Sequence, residues 1–149
     1  KVSGFTDNGF KLWYRYWVVR ANMPLHLLFA MDIKQNAVLG DQELQDALRG
    51  VNPKFGDFCI RAAGEVWGKP LIDQRTKTMI AIALDVSHQS FSGPGVPFEA
   101  HVTMALKQGV SFEEIEELLL MTCVYCGFNK SAGAFGRLNE LKEKYGSSS

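Results

Sequence analysis

The chain has no excess of charge of either sign. Its 149 residues carry 16 Lys and Arg against 16 Asp and Glu, for a formal charge of zero. A protein that binds nucleic acid through its phosphates needs a basic stripe, so this balance excludes a general polyanion-binding role. Long hydrophobic runs are also missing. The most apolar stretches, from Leu12 to Val19 and from Met23 to Met31, are shorter than the roughly 20 residues a membrane span requires, and Arg20 and Asn22 interrupt them. No membrane span is expected.

Cysteine is scarce. Cys59, Cys123 and Cys126 are odd in number and lack framework spacing, which excludes a small disulfide scaffold and favours a reducing compartment. No second ligand pair stands at metal spacing, so neither a metal nor a cofactor is expected. No secretory leader is visible. The expected location is therefore intracellular, in the cytoplasm or an organelle matrix such as the mitochondrion, and not secreted. The chain begins at Lys1 and not at Met, which leaves a removed initiator, tag or targeting peptide open. Internal repeats, low-complexity segments and strands alternating at period two are all absent.

What is present is a 46% hydrophobic composition, suited to one globular domain. A domain of this size buries close to 70% of the surface its unfolded chain exposes. From Asp41 onward the punctuation is helical. Asp41 can cap a short helix ended by Gly50. Asn52-Pro53 starts a second, with Phe55, Phe58, Cys59, Ala62, Ala63, Val66 and Trp67 recurring as a core helix until Gly68. Asp73 caps a third through Thr76, Ile80, Ala83 and Leu84 to about Val86, and Ser87 to Pro97 reads as a loop. A fourth helix spans Phe98 to Gln108, with Phe98, Val102, Ala105 and Leu106 on one face and Gly109 as its stop. Ser111 and Glu114 form a capping box for a fifth, with Val110 stapled to Ile115 and an end at Cys126-Gly127. A sixth runs from about Lys130 to Tyr145, burying Phe135, Leu138 and Leu141.

The first forty residues differ in texture. Phe5, Phe10, Trp13, Tyr14, Tyr16, Trp17 and Phe29 gather around Arg15 and Arg20. They either wrap the core as an extra helix or form a docking arm, because aromatics and Arg are enriched at interface hot spots. The expected division is an N-terminal extension over 1–50 and a helical domain over 51–149.

Four pieces, in order, carry a family resemblance. They are Gly64-Glu65-Val66-Trp67-Gly68 followed by Leu71, Asp73 and Arg75-Thr76-Lys77; His101 with Ala105 and Gly109; Gly109 through Glu117; and Val124-Tyr125-Cys126-Gly127 with Ala134-Phe135. Together they resemble the carboxymuconolactone decarboxylase family, which shares its all-helical fold with the AhpD alkylhydroperoxidases. The resemblance implies an all-α, AhpD-like antiparallel bundle of about six helices that assembles as a homo-oligomer, a trimer or a hexamer. It also implies a lyase activity for the decarboxylase branch and a thiol peroxidase activity for the other.

The residues decide between those chemistries unequally. The peroxidase branch places Cys-x-x-Cys seven and four residues before the histidine, where this chain has Pro94 and Pro97. Cys123 and Cys126 do spell Cys-x-x-Cys, but near a helix end, where no N-terminal dipole lowers a thiol pKa. They read more simply as small apolar residues of the core. The decarboxylase branch commonly carries a glutamate four before the histidine, again the place of Pro97. Glu99 stands two before His101 and does not share its face.

His101 itself suits general acid or base work near neutral pH if a neighbour sets its tautomer, or else it is a satisfied structural histidine. Asp85 and His88, at the end of the third helix, can approach it, and Tyr125 can line the same pocket. Three functions follow. One is a cofactor-free lyase or isomerase on a small carbonyl or carboxylate substrate, with His101 as acid/base and Asp85, His88, Glu99 or Tyr125 as helpers. A second is a catalytically silent subunit of a larger, even organellar, protein assembly, held through residues 1–35. The third is a thiol oxidoreductase using Cys123 and Cys126.

Overall fold

A computed structural model describes residues 33–93 and 96–146; the aromatic-rich segment before residue 33 and Pro94 lie outside the described residues. Within them the chain is all-helical, without strands. Six helices follow in order: α1 (Gln42–Val51), α2 (Pro53–Trp67), α3 (Gln74–His88), α4 (Pro97–Lys107), α5 (Phe112–Cys126) and α6 (Phe128–Tyr145). α1 pairs with α2, α3 with α4, and α5 with α6, while α3 also packs against α5 and α6.

The helix starts follow local side-chain chemistry. Asp41, Asn52, Asp73 and Ser111 each accept a hydrogen bond from a free backbone N–H of the first turn. The capping box closes in both directions: Ser111 Oγ accepts from Glu114 N–H, and Glu114 accepts from the Ser111 backbone at 2.9 Å. The stapling residues Val110 and Ile115 are both buried. At the α5–α6 junction Gly127 has φ +106°, a conformation closed to most side chains, so two helices join there without a linker. Several boundaries differ by one or two residues from the sequence expectation: α4 runs from Pro97 to Lys107 and not from Phe98 to Gln108, and α6 starts at Phe128 and not at about Lys130. α1 runs past Gly50 to Val51, because Asn52 turns extended only where it begins to cap α2. α3 continues to His88, and Gln89, in the left-handed region, ends it.

The main core lies among α3 to α6, with Ile82, Val86, Phe98, Val102, Ile115, Leu119, Leu138 and Leu141 buried. A buried hydroxyl pair, Thr122 and Ser131 at 3.0 Å, ties α5 to α6. A smaller cluster of Ala37, Val38 and Met104 joins the segment before α1 to α4, backed by Leu44, Ala63 and Trp67.

The facing of α2 and α3 departs from the sequence reading. α2 buries Gly56, Ile60 and Gly64, while Phe55 and Phe58 are 50% and 62% exposed. On α3 the buried row is Gln74, Thr78, Ile82, Asp85 and Val86, leaving Ile80 and Leu84 half-exposed. The eight apolar positions of α2, Ile60 included, are too many for one core-facing stripe of about 100°. The glycines take the closest approach instead.

A Cβ on Gly56 would stand 2.6 Å from the backbone N and Cα of Arg49 on α1. Ala for Gly in a helix normally gains about 1 kcal/mol. Here the neighbour is backbone and cannot swing aside, so Gly56→Ala is expected to destabilise by about 1–3 kcal/mol, the range for overpacking. Urea unfolding that shows Gly56→Ala to be as stable as the parent, or more so, refutes this packing.

Candidate active site

α4 presents Pro97, Ala100, His101 and Met104 to one side, the i, i+3, i+4, i+7 row of a helix. α2 presents Phe55, Cys59, Ala63 and Trp67, four residues apart, and α1 presents Leu44, Ala47, Leu48 and Val51. These three stripes face one another without closing, and leave a cavity of about 420 Å³ between them. That is the size of a small-ligand site.

Its wall is held by polar contacts behind it. Buried Gln74 accepts from Ala37 N–H at 2.9 Å and donates to the Trp67 carbonyl at 2.7 Å. Lys77 Nζ donates to the same carbonyl at 2.6 Å, placing a cation at the C-terminal end of α2. Asn36 donates to the Gly64 carbonyl at 2.9 Å.

His101 brings the site its chemistry. Its Nδ1 lies 2.6 Å from Oδ2 of Asp85 on α3, with side-chain exposures of 25% and 7%. A carboxylate beside Nδ1 fixes the proton on that nitrogen, so Nε2 is the one left for a bound molecule. The contact follows from two helix periodicities: Asp85 falls on the buried row of α3, and His101 stands at the edge of α4's buried row. Asp85 is the neighbour that sequence reasoning sought for the histidine.

The other residues named from sequence lie elsewhere. Glu99 faces α6, where it accepts from Arg137 Nη2 at 2.7 Å, Lys144 Nζ at 2.7 Å and the Tyr145 hydroxyl at 2.9 Å. His88 is exposed in the last turn of α3. Tyr125 is 78% exposed on α5, away from the cavity lining. Cys123 and Cys126 are half-buried free thiols at the end of α5, and Cys126 packs on the core. Among the described residues no group of three or more His, Cys, Asp or Glu could hold a metal ion. No described helix is long and apolar enough to cross a membrane.

Sequence reasoning missed the cavity wall. Phe55, Cys59 and Trp67 read as core, and α1 falls before the expected domain boundary. The usable signal was the width of the apolar surface of α2, which exceeds what one packing face consumes.

A larger groove of about 550 Å³ adjoins the cavity and is lined by charge: Asp41, Glu43, Glu99, Lys107 and Arg137. Its cations are engaged. Lys107 donates to Asp41 at 2.7 Å and Glu43 at 3.1 Å; burial opposes its charge, but these two partners outweigh that and raise its pKa. Arg137 is shared between Glu99 and Glu140. The groove thus reads as a set of ion pairs between elements, and the cavity with the His101–Asp85 pair is the candidate site.

The hydrogen bond from Lys144 holds the Glu99 carboxyl below its ordinary value of 4.5; burial works against this, and Tyr145 and Arg137 add to it. A depressed carboxylate contributes stability above its unfolded pKa and loses it as pH falls through the folded value. Glu99→Gln is therefore expected to unfold at lower urea than the parent at pH 7. The difference should shrink on acidification below 4.5. A gap that stays constant into acid would show that Glu99 contributes no charge-linked stability.

Comparison with known proteins follows this geometry. A model of the carboxymuconolactone decarboxylase family matches residues 53–140, more than half of the chain. The chain belongs to the carboxymuconolactone decarboxylase family. The match runs from the first residue of α2 into α6, and includes both Asp85 and His101. A nitrosuccinic acid decarboxylase of Metarhizium robertsii is 32% identical over 112 residues, covering 71% of this chain and 76% of that protein. The 4-carboxymuconolactone decarboxylase of Acinetobacter baylyi is 27% identical over 113 residues, covering 73% and 81%. No solved structure matches. Both relatives bear the names of decarboxylases, and the all-helical architecture agrees with the family's fold.

Proposed function

We propose that this family member is a cofactor-free lyase or isomerase acting on a small carbonyl or carboxylate substrate, with His101 as its acid/base and Asp85 as the residue that orients it. The 2.6 Å Asp85–His101 contact at the wall of a 420 Å³ cavity carries the reading. Geometry of this kind suits proton transfer at a carbon next to a carbonyl. In a decarboxylation, the bond to the carboxylate breaks and CO2 leaves. The electron pair passes through the α-carbon to the carbonyl oxygen, giving an enolate. That carbon then takes a proton from Nε2 of the imidazolium, and water restores it.

The test is CO2 release from carbonyl acids, including the compounds the two decarboxylase relatives are named for, by dialysed protein in EDTA. Turnover that survives EDTA and dialysis supports the reading. Turnover that appears only after a metal or cofactor is added refutes it.

The homo-oligomer implied by the resemblance belongs, in this proposal, on α5 and the start of α6. Leu120, Met121, Val124, Tyr125 and Phe128 are all more than half exposed there. An apolar surface of this kind on a globular domain marks an interaction site. Sedimentation should give a trimer or hexamer, and Val124→Glu should lower the assembly state. A monomeric parent protein refutes this assignment.

A further inference from the structure

α1 forms one wall of the cavity yet buries none of its own residues. Its apolar row of Leu44, Ala47, Leu48 and Val51 faces α4 across open space, so close packing does not fix the distance between the two helices. The first turn of α1 is tied to the chain just before it. Leu44 reaches the Ala37, Val38 and Met104 cluster, and Gln45 donates to the carbonyls of Val38 at 3.1 Å and Leu39 at 3.0 Å. Among the described residues, Lys107 alone joins α1 and its cap to the α3–α6 bundle by hydrogen bonds or ion pairs.

Asp41 is the other half of that link. Its Oδ1 accepts from Leu44 N–H at 3.2 Å and so starts α1, while its Oδ2 accepts from Lys107 Nζ at 2.7 Å. The Asp41 side chain is 5% exposed, which shields the pair from solvent; the Glu43 carboxylate, at 3.1 Å, is exposed and adds little. Lys107 sits in the last turn of α4, the helix that carries His101, and lines the adjoining groove but not the cavity. It does not touch a molecule held there. Its charge is already matched by Asp41 and Glu43, which leaves the α1 wall as its route of action. We infer that Lys107 is a positioning residue for this site: by holding Asp41 it sets the α1 wall at its distance from α4 and His101. The inference rests on the reading of the cavity as the place where His101 meets its substrate.

Two probes of matched size, the neutral para-fluoroacetophenone and the anionic para-fluorobenzoate, separate a wall effect from a charge effect, and fluorine NMR titration reads the binding of each. Lys107→Met keeps the stem and removes the ammonium. Apparent affinity scales with the fraction of protein whose α1 wall is in place, so both probes should bind about five- to tenfold more weakly. Asp41→Asn should weaken both likewise, because the amide that keeps the cap turns its NH2 toward Lys107. This variant supplies the result if Lys107→Met fails to fold. Lys107→Arg still donates to Asp41 and should recover most of the affinity. On a carbonyl acid that the protein turns over, Lys107→Met should raise KM by the same factor. It should leave kcat and its pH profile in place, since the Asp85–His101 pair joins α3 to α4 and does not involve α1.

Equal weakening of both probes, with recovery in Lys107→Arg, supports the inference. If this occurs in a protein that turns over no carbonyl acid, the role of Lys107 in shaping the cavity stands and the acid/base reading falls. Weakening of para-fluorobenzoate alone overturns the inference, because Lys107 then acts as a charge and not through the wall. Parent-like binding of both probes by Lys107→Met, whatever its Tm, also overturns it, as does a parent protein that fails to bind the ketone saturably.

Discussion

Replacing His101 with glutamine should lower turnover by about 10²- to 10⁴-fold, the contribution of a positioned acid/base. Glutamine can still donate a hydrogen bond to Asp85, so the buried carboxylate keeps a partner and the fold should survive. Alanine would not separate the two effects, because it leaves Asp85 unpaired at an interior position. Asp85→Asn provides the complementary result. An asparagine beside Nδ1 no longer dictates the tautomer, so turnover should fall while apolar ligands still bind, since Asp85 does not line the cavity. Steady-state kinetics that show His101→Gln within threefold of the parent on the best substrate would remove His101 from the chemistry.

The largest effect on stability is expected at Phe98. Its side chain is fully buried at the start of α4 and meets Phe91 edge to face, with ring centroids 5.4 Å apart and planes at 87°. Truncating such an aromatic to alanine costs about 3–5 kcal/mol, from lost burial and the void left behind. In a chain of this size that corresponds to a fall in Tm of roughly 10–15 °C. Phe98 also seats the turn of α4 that carries His101, so residual activity should fall with the folded fraction. A thermal melt shifted by only a degree or two would mean that the α3–α4 core does not close around Phe98.

The sequence and the structure agree where the signal is local. Four helix starts were legible because a capping side chain acts within three residues of itself. Gly109, at φ +82°, and Gly127 were legible as stops because their backbone conformations favour glycine. The family was legible because its motifs combine these caps with His101 and the Ala134-Phe135 pair in fixed order.

The faces of α2 and α3 were less so. Periodicity reports that a helix has apolar positions, but not which of two apolar rows meets the core when both exist. On α2 the choice fell to Gly56 and Gly64, whose missing side chains let Arg49 and Leu39 approach, and the larger row of Phe55, Cys59, Ala63 and Trp67 was left to the cavity.

The polar residues divide in the same way. Sequence alone placed Glu99 off the face of His101, because residues two apart on a helix point in different directions, and the structure turns it to Arg137, Lys144 and Tyr145. It could not choose among Asp85, His88 and Tyr125 as neighbours of the histidine, since each needs a contact between helices far apart in the chain.

By itself, then, the sequence determined an all-helical family member with a histidine at the edge of a buried helix row, because caps, stops and periodicity act over a few residues. Only the tertiary structure decided that Asp85 holds that histidine and that three apolar stripes stand apart to leave a cavity beside it. Those features depend on how closely whole helices approach, and that distance is set by glycine contacts and buried polar links between segments that the linear chain keeps far apart.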